Sequence, residues 1–369
     1  MIPTSRVSNK EMAMKDHFEK NKVGGLMSRL WNSSTEEIDN ILKAYDVPSL
    51  GEVDKPGCYI QNTVRAAQDV KKAKNDVVLI PLGSTEVHGF HCASGQDTLQ
   101  AARVCEAVRR CTAKKGREVN LAMSPWIYGN HPKHHVGMLG TVPISPSILE
   151  RQLVDVMFGL WADGYRKFIF VNNHAQHWVI TSAIDSFGLR YPELSFYAVA
   201  FDWCSAVWEF FQTKDKGGPF EEDFIHADEA ETSLMLLLAP EMVDMRHAVD
   251  TKPRGYLPNG HFNKSANQLA HRPNLWWSVR NNAPLEFVAT PEGVVGTATI
   301  ATAEKAKRPV AAALSYLTLL HDDILEKFPV GSLPPLEEVT LFRKEEVEGY
   351  MRKPGEKGYM NPYRLWRPF

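Results

Sequence analysis

Four stretches of this chain have the length of a β-strand and are apolar almost throughout: "DVVLIPLG" (76–83), "VNLAMSP" (119–125), "KFIFVNN" (167–173) and "LSFYAVAF" (194–201). A strand with one wet face alternates polar and apolar residues, whereas a strand buried on both faces need not. The segments between them have helical spacing. "TLQAARVCEAVRRCTAKKG" (98–116) sets Leu99, Ala102, Val104 and Ala107 near one face and stops at Gly116. "SPSILERQLVDVMFGLWADGY" (145–165) opens on a Ser cap and a Pro, and "HWVITSAIDSFGLRY" (177–191) follows the third strand. Two more helices are predicted: "HADEAETSLMLLLAP" (226–240), closed by Pro240, and residues 302–328, with a kink expected at Pro309. The alternation predicts an α/β fold with a mostly parallel sheet covered by helices on both faces.

In such sheets ligands gather beyond the C-terminal ends of the strands. The stretch "LIPLGSTEVHGFHCASGQDT" (79–98) puts Glu86, His88, His91 and Asp97 there, and Asn172, Asn173 and His174 follow the end of another strand. Glu86 and His88 are two residues apart, so an extended backbone points both the same way. Gly89 and Gly95 let the loop bend back to bring in Asp97. His226, Asp228, Glu229 and Glu231 crowd the start of a predicted helix. Carboxylates mixed with imidazoles suit Zn²⁺, Mn²⁺ or Fe²⁺, and a carboxylate can bridge two ions. Acidic residues in a helix's first turn also serve the helix dipole, which is the competing reading for Asp228 and Glu229.

Five segments in order resemble motifs of the creatininase (creatinine amidohydrolase) family. They are "PLGSTEVHGFHCASGQDT", "YGNHPKHHVGMLGTVPIS" (128–145), "VNNHAQH" (171–177), "HADEAETSLMLLLAPEMVDM" and "EGVVGTATIATAEK" (292–305). The resemblance implies a three-layer α/β/α sandwich, a homo-oligomer that is often a hexamer, and a centre of one or two divalent metals that hydrolyses small C–N bonds. Carried over residue by residue, it makes Glu86, His88, Asp97, His174 and Glu231 metal ligands, with Asp97 as the bridge. His226 becomes the proton-transfer residue, with Glu231 beside it in catalysis. His135, Gln176, His177, Asp228 and Glu229 are the expected substrate contacts.

The departures from the family pattern bear on the substrate. Where the family's H-x-E form of the third motif supplies a carboxylate, this chain has Gln176, so the second metal site is either weaker or completed by Glu231 or Glu229. Glu222 stands where the creatinine-cleaving members carry a tryptophan, and Asp228 replaces a glycine. These changes argue against creatinine and for a more hydrophilic, polyhydroxylated small molecule. The first expectation is metal-activated attack of water on a small cyclic amide, with His226 protonating the leaving atom. The alternatives are C–C hydrolysis of a cyclic polyhydroxylated ketone by the same centre, and an inactive metal-binding scaffold.

Charge narrows the partners. The formal net charge of −2, with acidic and basic residues interspersed, offers no basic stripe for nucleic acid. No apolar run has the length to cross a bilayer, and the polar N-terminus lacks a signal-peptide core. The five cysteines are odd in number and form no CxxC pair, which points to a reducing, cytoplasmic compartment. Residues 1–50 read as an N-terminal extension, with a helix starting at Ser34-Thr35-Glu36-Glu37. Residues 51–328 read as the catalytic domain, and 329–369 as a C-terminal extension expected to pack on another subunit.

Overall fold

The computed structural model describes residues 20, 34, 36–37, 56–122, 128–130, 135–252, 258, 260–263, 265–267, 272–273, 290–334 and 344–361. The chain divides into two compact units, Met1–Lys55 and Pro56–Phe369. In the first unit, Ser34 and Glu37 exchange the reciprocal hydrogen bonds of a capping box, as their spacing predicts. The rest of that expected helix lies outside the described residues.

The second unit is built on one sheet. Helix α1 (Arg65–Lys74) leads into β1 (Val77–Leu82), and α2 (Gln96–Lys114) into β2 (Asn120–Leu121). Then come α3 (Pro146–Ala162), β3 (Lys167–Asn172), α4 (His177–Arg190) and β4 (Tyr197–Asp202). Helices α5 (Glu229–Leu238), α6 (Ala303–Lys327) and α7 (Lys344–Met351) complete it. The strand order is β2-β1-β3-β4 and every pairing is parallel.

Because side chains alternate along a strand, each strand feeds two cores. Val77, Leu79, Ile169 and Val171 pack with α2, α5 and α6 on one face. Val78, Ile80, Leu82, Phe168 and Phe170 pack with α3 and α4 on the other. The result is the expected three-layer sandwich. Trp203 and Trp208, candidates to roof a pocket, pack against Phe211 in the first core. Trp276 and Trp277 lie outside the described residues, as do His131 and His134. Helix α6 runs unbroken through Pro309.

Part of the C-terminal extension packs on its own chain. Val347 of α7 is fully buried, and Tyr350 and Met351 join the core formed with α3 and α4. The Tyr350 carbonyl accepts a hydrogen bond from Arg166. This helix therefore covers its own chain, because its apolar residues find an apolar face there. The terminal "PYRLWRPF" lies outside the described residues.

Candidate metal centre

The sheet register aligns the strand ends. Leu82 of β1 pairs with Asn172 of β3, and Asn172 with Asp202 of β4. The residues that follow therefore emerge on one edge. Gly83 lets α2 start against the end of β1: a Cβ there would come within 2.4 Å of the Thr98 backbone nitrogen. That close approach puts Asp97, in the first turn of α2, beside the loop after β1. Gly89 has φ 65°, and a Cβ there would strike the His91 ring and Val294. Backbone bonds from Glu86 N to Ser94 O and from Gly89 N to Gly293 O tie the loop down.

The side chains converge in two groups that share Asp97. In one, His174 Nδ1 lies 2.8 Å from Asp97 Oδ2 and 3.3 Å from Glu86 Oε2. In the other, His88 Nε2 lies 3.4 Å from Asp97 Oδ1 and 3.5 Å from Glu231 Oε2. Ligand atoms held tetrahedrally at about 2.1 Å from an ion sit about 3.4 Å apart, so the second group has the spacing of a coordination shell. Both groups could hold a metal ion, and so could Glu86, His88 and His226.

The imidazole orientations agree with this. His88 Nδ1 donates to the Glu86 carbonyl at 3.0 Å, which turns Nε2 and its lone pair toward the carboxylates. That Nε2 is buried and makes no well-aligned hydrogen bond. His135 Nδ1 donates to Glu86 Oε1, and the His135 ring lies 4.5 Å from that of His226. His226 Nε2 donates to the Val87 carbonyl at 2.8 Å, so its Nδ1 is the nitrogen that can exchange a proton. Nδ1 stands 3.8 Å from Glu231 Oε2.

Without an ion, the buried charges must balance by protonation. Burial alone would lower His88, but Asp97, Glu231 and Glu86 raise it to about 10. Burial works against the Asp97 carboxylate, yet His88 and His174 hold it below its ordinary value. Burial, joined by Asp97 and Glu86, pushes Glu231 up to about 8 against the pull of His88. This crowd of carboxylates around ring nitrogens is the donor set that a divalent cation satisfies.

The start of α5 is shaped for this purpose. Ala227 has φ 49°, the one non-glycine positive φ among the described residues. Its amide donates to the Glu231 carboxylate, and Asp228 caps α5 by accepting from Ala230 N and Glu231 N. The tight turn aims His226 and Glu231 together into the cluster.

Three expected substrate contacts are engaged elsewhere. Asp228 is spent on the cap and on the Ile225 amide. Glu229 is fully buried, pairs with Lys305 and accepts from Glu221 N. Gln176 turns into the protein, accepting from Asn130 N at 3.0 Å and donating to Gly83 O and Asn172 Oδ1. His177 opens α4, and no group of metal-type ligands among the described residues includes it. His91 bonds Thr232 Oγ1 at 2.8 Å and also stands apart. Cys92 is a neutral thiol, pushed up to about 12 by burial and Glu231. Glu222 binds Thr297 through its amide and hydroxyl.

A cavity opens onto the cluster, lined by Glu86, His174, His226 and Glu231 and, farther along, by Asp202 and Cys204. Asp202 was not singled out in the sequence. An acidic residue one step past an apolar strand was the available signal; Glu86 follows its own apolar run, 76–83, by three residues.

The creatininase profile, described as creatinine amidohydrolase, matches residues 62–320. The 3-dehydro-scyllo-inosose hydrolase of Thermotoga maritima is 43% identical over 313 residues, 84% of this chain and 98% of that protein. The creatinine amidohydrolase of Pseudomonas putida is 28% identical over 195 residues, 49% of this chain and 72% of that protein. Among solved structures, creatinine amidohydrolase (creatininase) matches with a TM-score of 0.55 at 22% identity, covering 74% of this chain and 98% of that one. A creatininase with Mn matches with a TM-score of 0.55 at 21% identity, covering 74% and 99%. At these identities the structural matches speak for the fold.

Proposed function

Since the chain belongs to the creatininase family and is a metal-binding hydrolase, we propose that it opens a polyhydroxylated cyclic diketone by C–C hydrolysis, at a divalent-metal centre that Glu86, His88, Asp97, His174 and Glu231 would hold. The observation that carries the metal assignment is that the two oxygens of Asp97 face two different ligand groups. The choice of bond follows the relative that is 43% identical across nearly its whole length. Its name denotes a hydroxylated carbocycle with two carbonyls. The sequence-based ranking put cyclic amides first. That reading uses the same residues, but its support is the 28% relative matched over half of this chain.

Glu86, Asp97 and His174 would hold one ion, and His88, Asp97 and Glu231 the other. Bound there, Zn²⁺, Mn²⁺ or Fe²⁺ would supply an activated water and polarise a carbonyl. The oxygen of a water adds to the carbonyl carbon. The bond to the neighbouring carbon breaks, and its electron pair goes to that carbon as an enolate stabilised by the second carbonyl. His226, with Nε2–H given to Val87, takes the water's proton at Nδ1 and returns it to the leaving carbon. Glu231, 3.8 Å from Nδ1, steadies the imidazolium in between. His135 orients Glu86.

No described helix is long and apolar enough to cross a membrane. The five cysteines are free, which supports a reducing, cytoplasmic setting. Exposed Phe90, Val136 and Leu139 support a homo-oligomer. Metal analysis and turnover test the reading together. About two ions per chain and conversion of a tetrahydroxycyclohexanedione to a ring-opened keto acid, followed by NMR, are expected. A metal-loaded protein inert toward the diketone would refute it, and turnover of a cyclic amide instead would restore the amide reading.

A further inference from the structure

His174 and Asp97 meet at 2.8 Å, yet one follows β3 and the other sits in the first turn of α2. A metal needs its ligand atoms placed to within tenths of an ångström, so something has to lock those two elements together. Asn173 stands where it can do so. Its backbone amide donates to Leu82 O at 3.1 Å, which continues the bonding between β1 and β3 one residue past the strand. Its side-chain Nδ2 donates to Asp97 O at 3.3 Å and to Gln100 Oε1 at 2.8 Å, both on α2. Its Oδ1 accepts from the Trp203 indole and, at 3.8 Å, from the Cys204 thiol. An indole N–H only donates, which fixes which end of the amide faces α2. Asn173 lines the cavity, but both hydrogens of its amide are given to α2 and none is left for a substrate.

Resting on the metal-centre reading, we infer that Asn173 is a positioning residue, which holds the Asp97 and His174 side chains at ligating distance by tying the end of β3 to the first turns of α2. Its partner supports this. Gln100 is 1% exposed, and its Nε2 has no hydrogen-bond partner among the described residues. A buried amide left half satisfied costs more than an apolar side chain of its shape would. The bond that Gln100 does make goes to Asn173. On the other side, the Trp203 indole comes from the short helix Trp203–Ala206 that follows β4. The Asn173 amide is thus gripped from two directions and cannot turn without breaking bonds on both. A displaced Asn173 would release the Asp97 carbonyl and, through the next peptide, move His174.

The test follows Co²⁺ bound to the full chain, whose visible absorption bands report the geometry of its ligands. Co²⁺-loaded wild type, Asn173→Ala and Lys167→Met are titrated with dipicolinate, with circular dichroism and melting temperature measured alongside. Lys167 starts β3, at the far end from the cluster, and bonds Asp76, so its replacement lowers stability without touching the ligands. Asn173→Ala is expected to release Co²⁺ at about 10- to 100-fold less free dipicolinate than the wild type, with altered absorption bands. Lys167→Met is expected to retain Co²⁺ as the wild type does. Wild-type retention and an unchanged spectrum in folded Asn173→Ala overturn the inference. An equal loss in Lys167→Met also overturns it, because it traces the effect to stability alone. If Asn173→Ala does not fold, Asn173→Ser, which keeps a hydroxyl donor, takes its place with a smaller loss expected. If neither folds, the residue serves the fold itself and the inference fails. A wild type that holds no Co²⁺ overturns the metal-centre reading and this inference with it.

Discussion

The two ends of the sheet handle buried charge in opposite ways. At the N-terminal end, Lys167 pairs with Asp76, and the Pro329 carbonyl and Gly331 amide complete the two groups. Beside them, Asn75 donates to Arg117 O and to His321 Nε2 and accepts from Val77 N, while Asn120 donates to the Asn75 carbonyl. His321 Nδ1 donates to Asp322. Charges there cancel pairwise. At the C-terminal end, Glu86, Asp97 and Glu231 converge on one another, and among the described residues the cations within reach are imidazoles that must first be protonated. A closed network stabilises a fold, whereas an unbalanced one binds something.

The largest effect should come from Asp97→Asn, which removes the shared ligand. Turnover should fall below detection and both ions should be lost by mass spectrometry. The melting temperature of the metal-free protein should not drop, since one of three crowded carboxylates is gone. A marked drop would mean that the cluster is a structural network like its counterpart. Lys167→Met should do the reverse, leaving Asp76 buried without its cation. A loss of about 3–5 kcal/mol in denaturant melts is expected, with metal content per folded chain unchanged. Smaller again is Gln176→Glu, which restores the family's carboxylate. Its new oxygen would face Gly83 O and Asn172 Oδ1. We expect a cost of about 1–3 kcal/mol and no tighter metal binding. Tighter binding on titration would show that Gln176 can swing toward the cluster.

The mildest prediction concerns pH. Burial lowers His321 from its ordinary 6.5, against the pull of Asp322, so the unfolded chain binds the proton more readily. This contribution to stability is full above about 6.5 and is lost as pH falls below it. Melts between pH 7.5 and 5.5 should therefore slope less in His321→Gln than in the wild type, and equal slopes would refute the assignment.

Much of this was legible in the sequence. Continuous apolar strands announced a sheet buried on both faces, and α2 and α3 begin and end within a few residues of their predicted spans. The start of α5 was harder to read. It was expected at His226, but Asp228 caps the helix and Ala227 adopts a left-handed turn, so helical geometry begins at Glu229. Strand β4 runs to Asp202, one residue past its expected end, and that residue gains its meaning only from the register with Asn172.

Residue type and order determined the layers, the edge on which ligands collect, and the kinds of donor found there, because hydrophobic periodicity and strand-end position are local properties of the chain. Which carboxylate faces the cluster was decided by packing. Glu229 and Glu231 are two residues apart on one helix, so they point to opposite sides. The sequence alone does not say which side is inward. The fold turns Glu229 to Lys305 and Glu231 to His88. It likewise rotates Gln176 away from the metals, because Gly83, Asn130 and Asn172, distant in sequence, meet there to bond it.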